Sequence, residues 1–407
     1  PLVKAITALA ALLHDWGKAS QWFQDKLRKK AKKISGDPLR HEWISCIIIT
    51  SFVKQFDGNA TDEDWLSRLE NGDINEKSLA TTFETQLKKS LQGDTKKLFA
   101  DLPDLACIIV WLILSHHRMP LTQHDDWRGE PAESIQQVLK RIEPQWGYQN
   151  KFDEKEYISG LKLCFKFPEG LPGRSTHWLK QIKRWVPKTR AILPLMAKAM
   201  KDGSWRVVLH HARLCLMLGD HYFSSLDADQ KWHDDTTLFA NTVRETGLLK
   251  QKLDEHLTGV AKHALRVTHL LPAFEKEPPV ACDIKSLKMK SPPVFKWQDK
   301  AVKKIKFWQQ QLPESHKDQP QGFFAVNMAS TGCGKTFANA KVMRALSKDG
   351  DSLRYVLALG LRTLTLQTGD EYRERIGLDE TELAVLIGSR AVMDLHLYNK
   401  IYDNRNE

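Results

Sequence analysis

Apolar residues recur at spacings of three and four through residues 2–13, 43–56, 102–114, 178–200 and 207–223, the period of helices with one face in a core. Strand-like alternation is scarce in this part, and turn signals such as Ser35-Gly36-Asp37-Pro38 separate the segments. The first 275 residues are therefore predicted to be all-helical. Residues 276–292, rich in Pro and Lys, are taken as a linker. Beyond them the pattern changes. Short apolar runs at 323–328, 355–359 and 383–387 alternate with helical patterns at 337–346 and 363–375. Strand, helix, strand, helix, strand implies a parallel sheet with right-handed crossovers. The expected architecture is multidomain: an all-α domain over 1–275, the linker at 276–292, and an α/β domain with a parallel sheet over 293–407.

The composition of the 407 residues, 42% hydrophobic and 27% charged, is that of globular protein and excludes a disordered or fibrous chain. Mean hydropathy is −0.44. The longest apolar run, 105–114, is ten residues, and a spanning helix needs about 20, so no membrane role is expected. Residues 4–13 loosely imitate a signal peptide, but the run leads straight into His14-Asp15. Pro1 without an initiator Met suggests a start inside a longer protein. The six cysteines form no C-x-x-C pair, which suits reduced thiols and a cytoplasmic location. A net charge of +11 suggests an anionic partner. Six of the eight residues 26–33 are basic, either a solvated face or a DNA-backbone contact.

The sharpest motif is Ala329-Ser330-Thr331-Gly332-Cys333-Gly334-Lys335-Thr336, between a predicted strand and a predicted helix. Gly332 and Gly334 allow backbone shapes and close approach that a side chain blocks. Loop N–H groups and the helix N-terminus then face phosphates, Lys335 reaches the β- and γ-phosphates, and Thr336 can ligate Mg²⁺. Thr331 through Thr336 are thus expected to bind ATP with Mg. The surroundings resemble superfamily 2 helicases. Phe295-Lys296-Trp297-Gln298 resembles their adenine-reading motif, with Gln298 as the base contact. The string 362–369 resembles their strand-contacting motif, or is simply a second crossover helix. No Asp-Glu pair at the end of a later strand follows: Asp370-Glu371 and Asp379-Glu380 have polar surroundings, and Asp254-Glu255-His256 precedes the loop and follows no strand. The chain is expected to carry the ATP-binding half of a motor, a first RecA-like domain.

A second constellation lies in the helical part. His14-Asp15 closes an apolar helix and is followed by Lys18; His41 opens another; His116-His117 closes a third; Asp220 interrupts the apolar run 214–219. Singly, these histidines read as caps or surface residues, Lys18 as an exposed lysine, and Asp220 as a salt-bridge partner of Arg213. In this order they resemble the HD superfamily of metal-dependent phosphohydrolases, which are all-helical. Imidazoles and carboxylates suit Mn, Fe, Ni or Zn. A carboxylate such as Asp15 can bridge two ions that activate water and stabilise both oxygens of a phosphodiester displacement. An acid among apolar neighbours needs a metal or a strong hydrogen bond.

An HD domain ahead of a superfamily 2 helicase core resembles the helicase–nuclease effectors of type I CRISPR systems, most closely the I-F branch, over nearly the whole chain. That resemblance implies His14, Asp15, His41, His116, His117 and Asp220 as ligands of two divalent transition-metal ions, with His14, Asp15 and Lys18 catalytic and Ser224 beside Asp220. It implies nicking and degradation of single-stranded DNA, ATP-dependent unwinding, recruitment by a crRNA-guided Cascade-type complex and contact with the CRISPR adaptation integrase. The family places a further histidine ahead of the His-Asp pair; residues 1–13 contain none. Two other readings remain: an HD phosphohydrolase of small nucleotides with an appended NTPase domain, and a degenerate HD docking platform without metal.

Overall fold

The computed structural model describes residues 1–29, 37–55, 60–74, 99, 101–120, 132–142, 147, 154–232, 236–276, 280–313, 322–347 and 349–387. The chain divides into two compact units, Pro1–Pro272 and Ala273–Glu407.

Three helices that are apolar on nearly every side form the centre of the first unit. They are α1 (Leu2–Leu13), α2 (His41–Val53) and, after the amphipathic α3 (Asp62–Asn71), α4 (Asp104–Ser115). A helix with no polar face has nothing to offer water and goes inside. The run Ile47-Ile48-Ile49 and the run Ile108-Ile109-Val110 favour strands in isolation, yet both are helical because the core around them sets the shape. Helix α3 starts on a capping box, in which Asp64 N–H donates to Thr61 Oγ1 and Thr61 N–H to the Asp64 carboxylate.

The predicted segment 178–200 is two helices, α5 (Thr176–Arg190) and α6 (Leu193–Asp202), with Pro194 in the first turn of the second. Helix α5 buries Trp178, Ile182, Trp185 and Val186, and the Trp178 indole donates to Leu12 O at 2.8 Å. Helices α7 (Trp205–Ser225) and α8 (Leu253–Lys276) complete the frame. Helix α1 packs against α4, α5 and α7, and α2 packs against α4. Among the described residues no helix is long and apolar enough to cross a membrane.

Two glycines set the close approaches. A Cβ on Gly17 would lie 2.1 Å from His41 O, and Gly17 N–H donates to Ser45 Oγ at 2.8 Å. The 3₁₀ turn Trp16–Ala19 therefore sits directly on the start of α2. A Cβ on Gly219 would lie 2.6 Å from Ala264 N, so α7 and α8 cross backbone to backbone beside Asp220.

The second unit contains α9 (Lys296–Gln310), α10 (Lys335–Leu346) and α11 (Arg362–Glu371), with α9 packed on α10. Its small core takes Ala281, Ile284 and Leu287 from the predicted linker, with Ala340, Leu353, Tyr372, Ile376 and Leu378. Here the expected parallel sheet is corrected. Among the described residues neither strand nor sheet forms in either unit; the pairings are isolated antiparallel bridges, such as Ala281 with Leu353. The predicted strands 323–328, 355–359 and 383–387 form no ladder with one another. Phe324 is 91%, Val356 93% and Leu386 84% exposed. Apolar side chains alone do not make a strand, because its backbone groups need a ladder from a neighbouring strand. The expected α/β RecA-like fold is therefore not what these residues adopt.

Candidate metal centre

Three helix ends and two further helices of the first unit deliver donors to one buried point. His14 caps the C-terminus of α1 and Asp15 follows it; His41 opens α2; His116 caps the C-terminus of α4, with His117 next; Asp220 lies within α7. His256, which the sequence reading passed over as part of Asp254-Glu255-His256, comes from α8. These donors form two quartets. In each, one ligand atom per residue lies within 4.8 Å of every other: His14, Asp15, Asp220 and His256 in the first, and Asp15, His41, His116 and His117 in the second.

Asp15 belongs to both, through different oxygens. Its Oδ2 is 3.2 Å from His14 Nε2 and 3.1 Å from His256 Nε2. Its Oδ1 is 3.3 Å from His41 Nε2 and 3.8 Å from His116 Nε2. Asp220 Oδ1 is 3.3 Å from His256 Nε2 and 3.9 Å from His14 Nε2, and its Oδ2 is 3.8 Å from His117 Nδ1. Donors held about 2.1 Å from one ion are separated by roughly 3.0–3.4 Å, depending on coordination number, so most of these separations are those of a metal cage.

The ring nitrogens are prepared for that role. Nδ1 of His14 lies 2.8 Å from Ala11 O and Nδ1 of His116 lies 2.6 Å from Ile113 O. A carbonyl only accepts, so each Nδ1 carries a proton and each Nε2 is the nitrogen turned toward the carboxylates. His256 Nδ1 sits 3.3 Å from Gln251 Oε1; the Gln251 amide donates to Phe223 O and Leu226 O, which fixes its oxygen toward the ring. Nε2 of His14, His41, His116 and His256, and Oδ1 of Asp15, are buried with no hydrogen-bond partner, while Asp15 Oδ2 is met by the Lys18 ammonium at 2.7 Å. So many unmatched polar atoms around one point are costly in an apolar core, and a cation answers all of them together.

Electrostatics set the ion-free charge state, in which a cation would have to displace the His14 Nε2 proton. Burial opposes the Asp15 carboxylate, yet His14 and Lys18 hold it well below the usual range. Burial likewise opposes ionised Asp220, which His14 and His256 nevertheless keep far below that range. Burial disfavours the His14 imidazolium, but Asp15 and Asp220 outweigh it and raise its pKa to about 10. His116 is lowered by burial and by its neighbours His117 and His14, and His117 falls to about 4 through burial and His41.

The remaining sequence candidates divide. Lys18 is 8% exposed and its Nζ lies 2.7 Å from Asp15 Oδ2. Ser224 donates to Asp220 Oδ1 at 3.1 Å. Arg213 does not pair with Asp220; it donates through Nε and Nη2 to Ser115 O at 2.9 and 2.7 Å. Of the basic run, residues 30–33 lie outside the described residues, while Lys26 pairs with Asp37 and Arg28 with Glu169. Asp254 accepts from Ser175 and Trp232, a packing role.

In the second unit, Thr331, Gly332 and Cys333 form an exposed to half-buried turn ahead of α10. Gly332 (φ +80) and Gly334 (φ +73) are left-handed, a conformation that glycine adopts without strain. Lys335 Nζ donates to Ala329 O at 2.8 Å, and Thr336 O accepts from Tyr372 Oη at 3.3 Å. Gln298 is buried. Its Nε2 donates to Gly334 O at 3.0 Å and its Oε1 accepts from Ser291 Oγ at 2.8 Å, so here it braces the loop. The Trp297 indole donates to Cys333 O at 3.2 Å.

No family model matches the chain. It is 40% identical over 401 residues to the CRISPR-associated nuclease/helicase Cas3 subtype I-F/YPEST of Pseudomonas aeruginosa, covering 97% of this chain and 35% of that protein. It is 38% identical over 415 residues to the protein of the same description from Pectobacterium atrosepticum, covering 99% of this chain and 36% of the relative. The chain thus spans about a third of the length of these curated relatives, and over that span it belongs to the Cas3 subtype I-F family.

Proposed function

We propose that the unit Pro1–Pro272 is a two-metal phosphodiesterase that cuts single-stranded DNA, and that the unit Ala273–Glu407 binds ATP with Mg. One observation carries the first part: the two oxygens of buried Asp15 each face a separate quartet of ligand atoms. His14, Asp15, Asp220 and His256 would hold one ion, and Asp15, His41, His116 and His117 the other. Nitrogen-rich sets with carboxylates favour Mn, Fe or Ni over purely oxygen-loving ions. Two such ions supply charge neutralisation for a phosphodiester and activation of the attacking water. The protein's own part is positional. Fixed Nδ1 protons orient the imidazoles, Asp15 holds the two sites in register, and Lys18 supplies a cation for a phosphate oxygen. Gln298, Thr331, Gly332, Cys333, Gly334, Lys335 and Thr336 form the ATP site, with Gln298 supporting the loop.

The relatives' descriptions as CRISPR-associated nuclease/helicases support a place in crRNA-guided defence in the cytoplasm. There the whole protein would be recruited by a Cascade-type surveillance complex, and contact with the CRISPR adaptation integrase belongs to the same proposal. The test is cleavage of labelled single-stranded DNA, with a nucleotide panel beside it, in the presence of Mn²⁺. Asp15→Ala should abolish cutting and spare ATP binding, and Lys335→Ala should do the reverse. Hydrolysis of free nucleotides without cutting of DNA would overturn the substrate, and cutting by Asp15→Ala would overturn the metal centre.

A further inference from the structure

A cavity of about 340 Å³ in the first unit lies between the C-terminal end of α4 and the first half of α7. Trp111, Met119 and Trp205 give it an apolar, largely aromatic wall, while Arg206, His210 and Arg213 also line it; among the described residues no carboxylate does. Trp205 is 2% exposed, and its indole Nε1–H is buried with no hydrogen-bond partner. Arg206 lies over the Trp205 ring at 4.6 Å. An apolar, aromatic slot with a cationic lining suits a flat heteroaromatic group that carries an anion.

The cavity adjoins the metal centre by two routes. Met119 is two residues beyond His117, so their Cα atoms are at most about 7 Å apart. Arg213 lies seven residues before Asp220, on the same face of α7 two turns away, about 10 Å along the axis. Arg213 also grips Ser115 O, the carbonyl just before His116. The volume admits one nucleotide and excludes a helix or a folded peptide segment; it lies at the low end of the roughly 300–1,000 Å³ of small-ligand sites.

We propose that this cavity is a nucleotide subsite, which holds one base and its phosphate of the single strand whose neighbouring phosphodiester lies at the metal centre. The identity of the strand as substrate rests on the function proposed above. The base packs against Trp111, Met119 and Trp205. Its phosphate meets Arg206 and His210 at the rim. Stacking of this kind is tolerant of base identity, so the subsite positions the strand without reading sequence.

The test uses the full chain and a fluorescently labelled single-stranded oligonucleotide, with Ca²⁺ in place of Mn²⁺. Polarisation should show Arg206→Glu and His210→Glu each weakening binding about tenfold or more, as expected for a lost phosphate contact with reversed charge. Arg206→Lys should recover most of the loss, which a purely structural role through the Arg206 bond to Ala132 O would not allow. Thermal melting confirms that each variant is folded. Separately, Mn²⁺-dependent hydrolysis of bis-p-nitrophenyl phosphate by the unaltered chain tests the metal centre, because that substrate carries no nucleotide. If both glutamate variants bind the strand as the unaltered chain does, or if the unaltered chain binds no single strand, the subsite is overturned. If the small diester is inert but the binding pattern holds, the subsite stands and the phosphodiesterase proposal falls.

Discussion

Replacing His256 with Gln isolates the donor that completes the first quartet. The residue is fully buried, with its Nε2 3.1 Å from Asp15 Oδ2 and 3.3 Å from Asp220 Oδ1. It supplies one of four donors there and none to the second quartet. Removing even an outer-shell partner of a ligand costs about 10–100-fold in metal affinity; removing a direct donor should reach at least the upper figure, about 2.7 kcal/mol. Because the ion binds only the folded chain, the same free energy leaves the metal-dependent stabilisation. For a unit of this size each kcal/mol moves the melting midpoint about 2–4 °C, so the rise on adding Mn²⁺ should shrink by roughly 5–10 °C. Plasma mass spectrometry should find two ions on the parent and one on His256→Gln, and calorimetry should keep the second binding event. Both proteins should melt close together in chelator. A variant that holds two ions at the parent's affinity would show that His256 is only a packing residue bonded to Gln251.

Three further outcomes follow from the same geometry. Gly17→Ala puts a Cβ 2.1 Å from His41 O and 2.9 Å from Ser45 N; such overpacking costs about 1–3 kcal/mol, and in metal titrations it should weaken the His41 quartet more than the His256 quartet. Lys18→Met removes the ammonium that contends with the first quartet for Asp15 Oδ2; metal affinity should hold or tighten while DNA cleavage falls, and parallel losses of both would refute that division. Burial raises the Tyr372 pKa from 10 to about 12. The unfolded chain therefore releases this proton first, and stability present below pH 10 is lost as pH rises toward 12, by about 2–3 kcal/mol. Tyr372→Phe should flatten that alkaline slope in denaturant melts of the second unit.

The cluster of candidate metal donors is largely legible in the sequence because most of them sit where apolar helices begin or end. His14-Asp15 and His116-His117 close runs that bury Leu13 and Leu114, and His41 opens one that buries Trp43. A polar residue at the end of an all-apolar helix is carried into the interior by its neighbours. His256 escaped notice because Asp254-Glu255 drew it into a search for a motor motif. The available signal was periodicity: Leu253, Leu257, Val260, Ala261 and Ala264 are the buried stripe of α8, and His256 falls within it. That residue also supplies a fourth donor where the family resemblance had asked for a histidine ahead of residue 14. The sheet was misjudged for a different reason. Residues 323–328 and 355–359 have the composition of strands, but pairing is non-local and composition names no partner.

The buried charges of the first unit make sense only together. Asp15, Asp220 and Glu42 are all nearly inaccessible. Burial opposes the Glu42 carboxylate too, yet His41, His116 and Arg40 hold its pKa near 2. Three carboxylates in an apolar core would normally be replaced by hydrophobic residues at little loss of stability. Here Lys18 and Arg40 answer part of that charge, through Asp15 and Glu42. Without an ion the rest is answered by His14, whose imidazolium Asp15 and Asp220 favour. Carbonyls at Ala11 and Ile113 hold the Nδ1 protons of His14 and His116, which leaves each Nε2 facing inward. A divalent cation would take the place of the His14 Nε2 proton among the same carboxylates, and the second quartet, with three imidazoles to one carboxylate, should favour softer ions than the first.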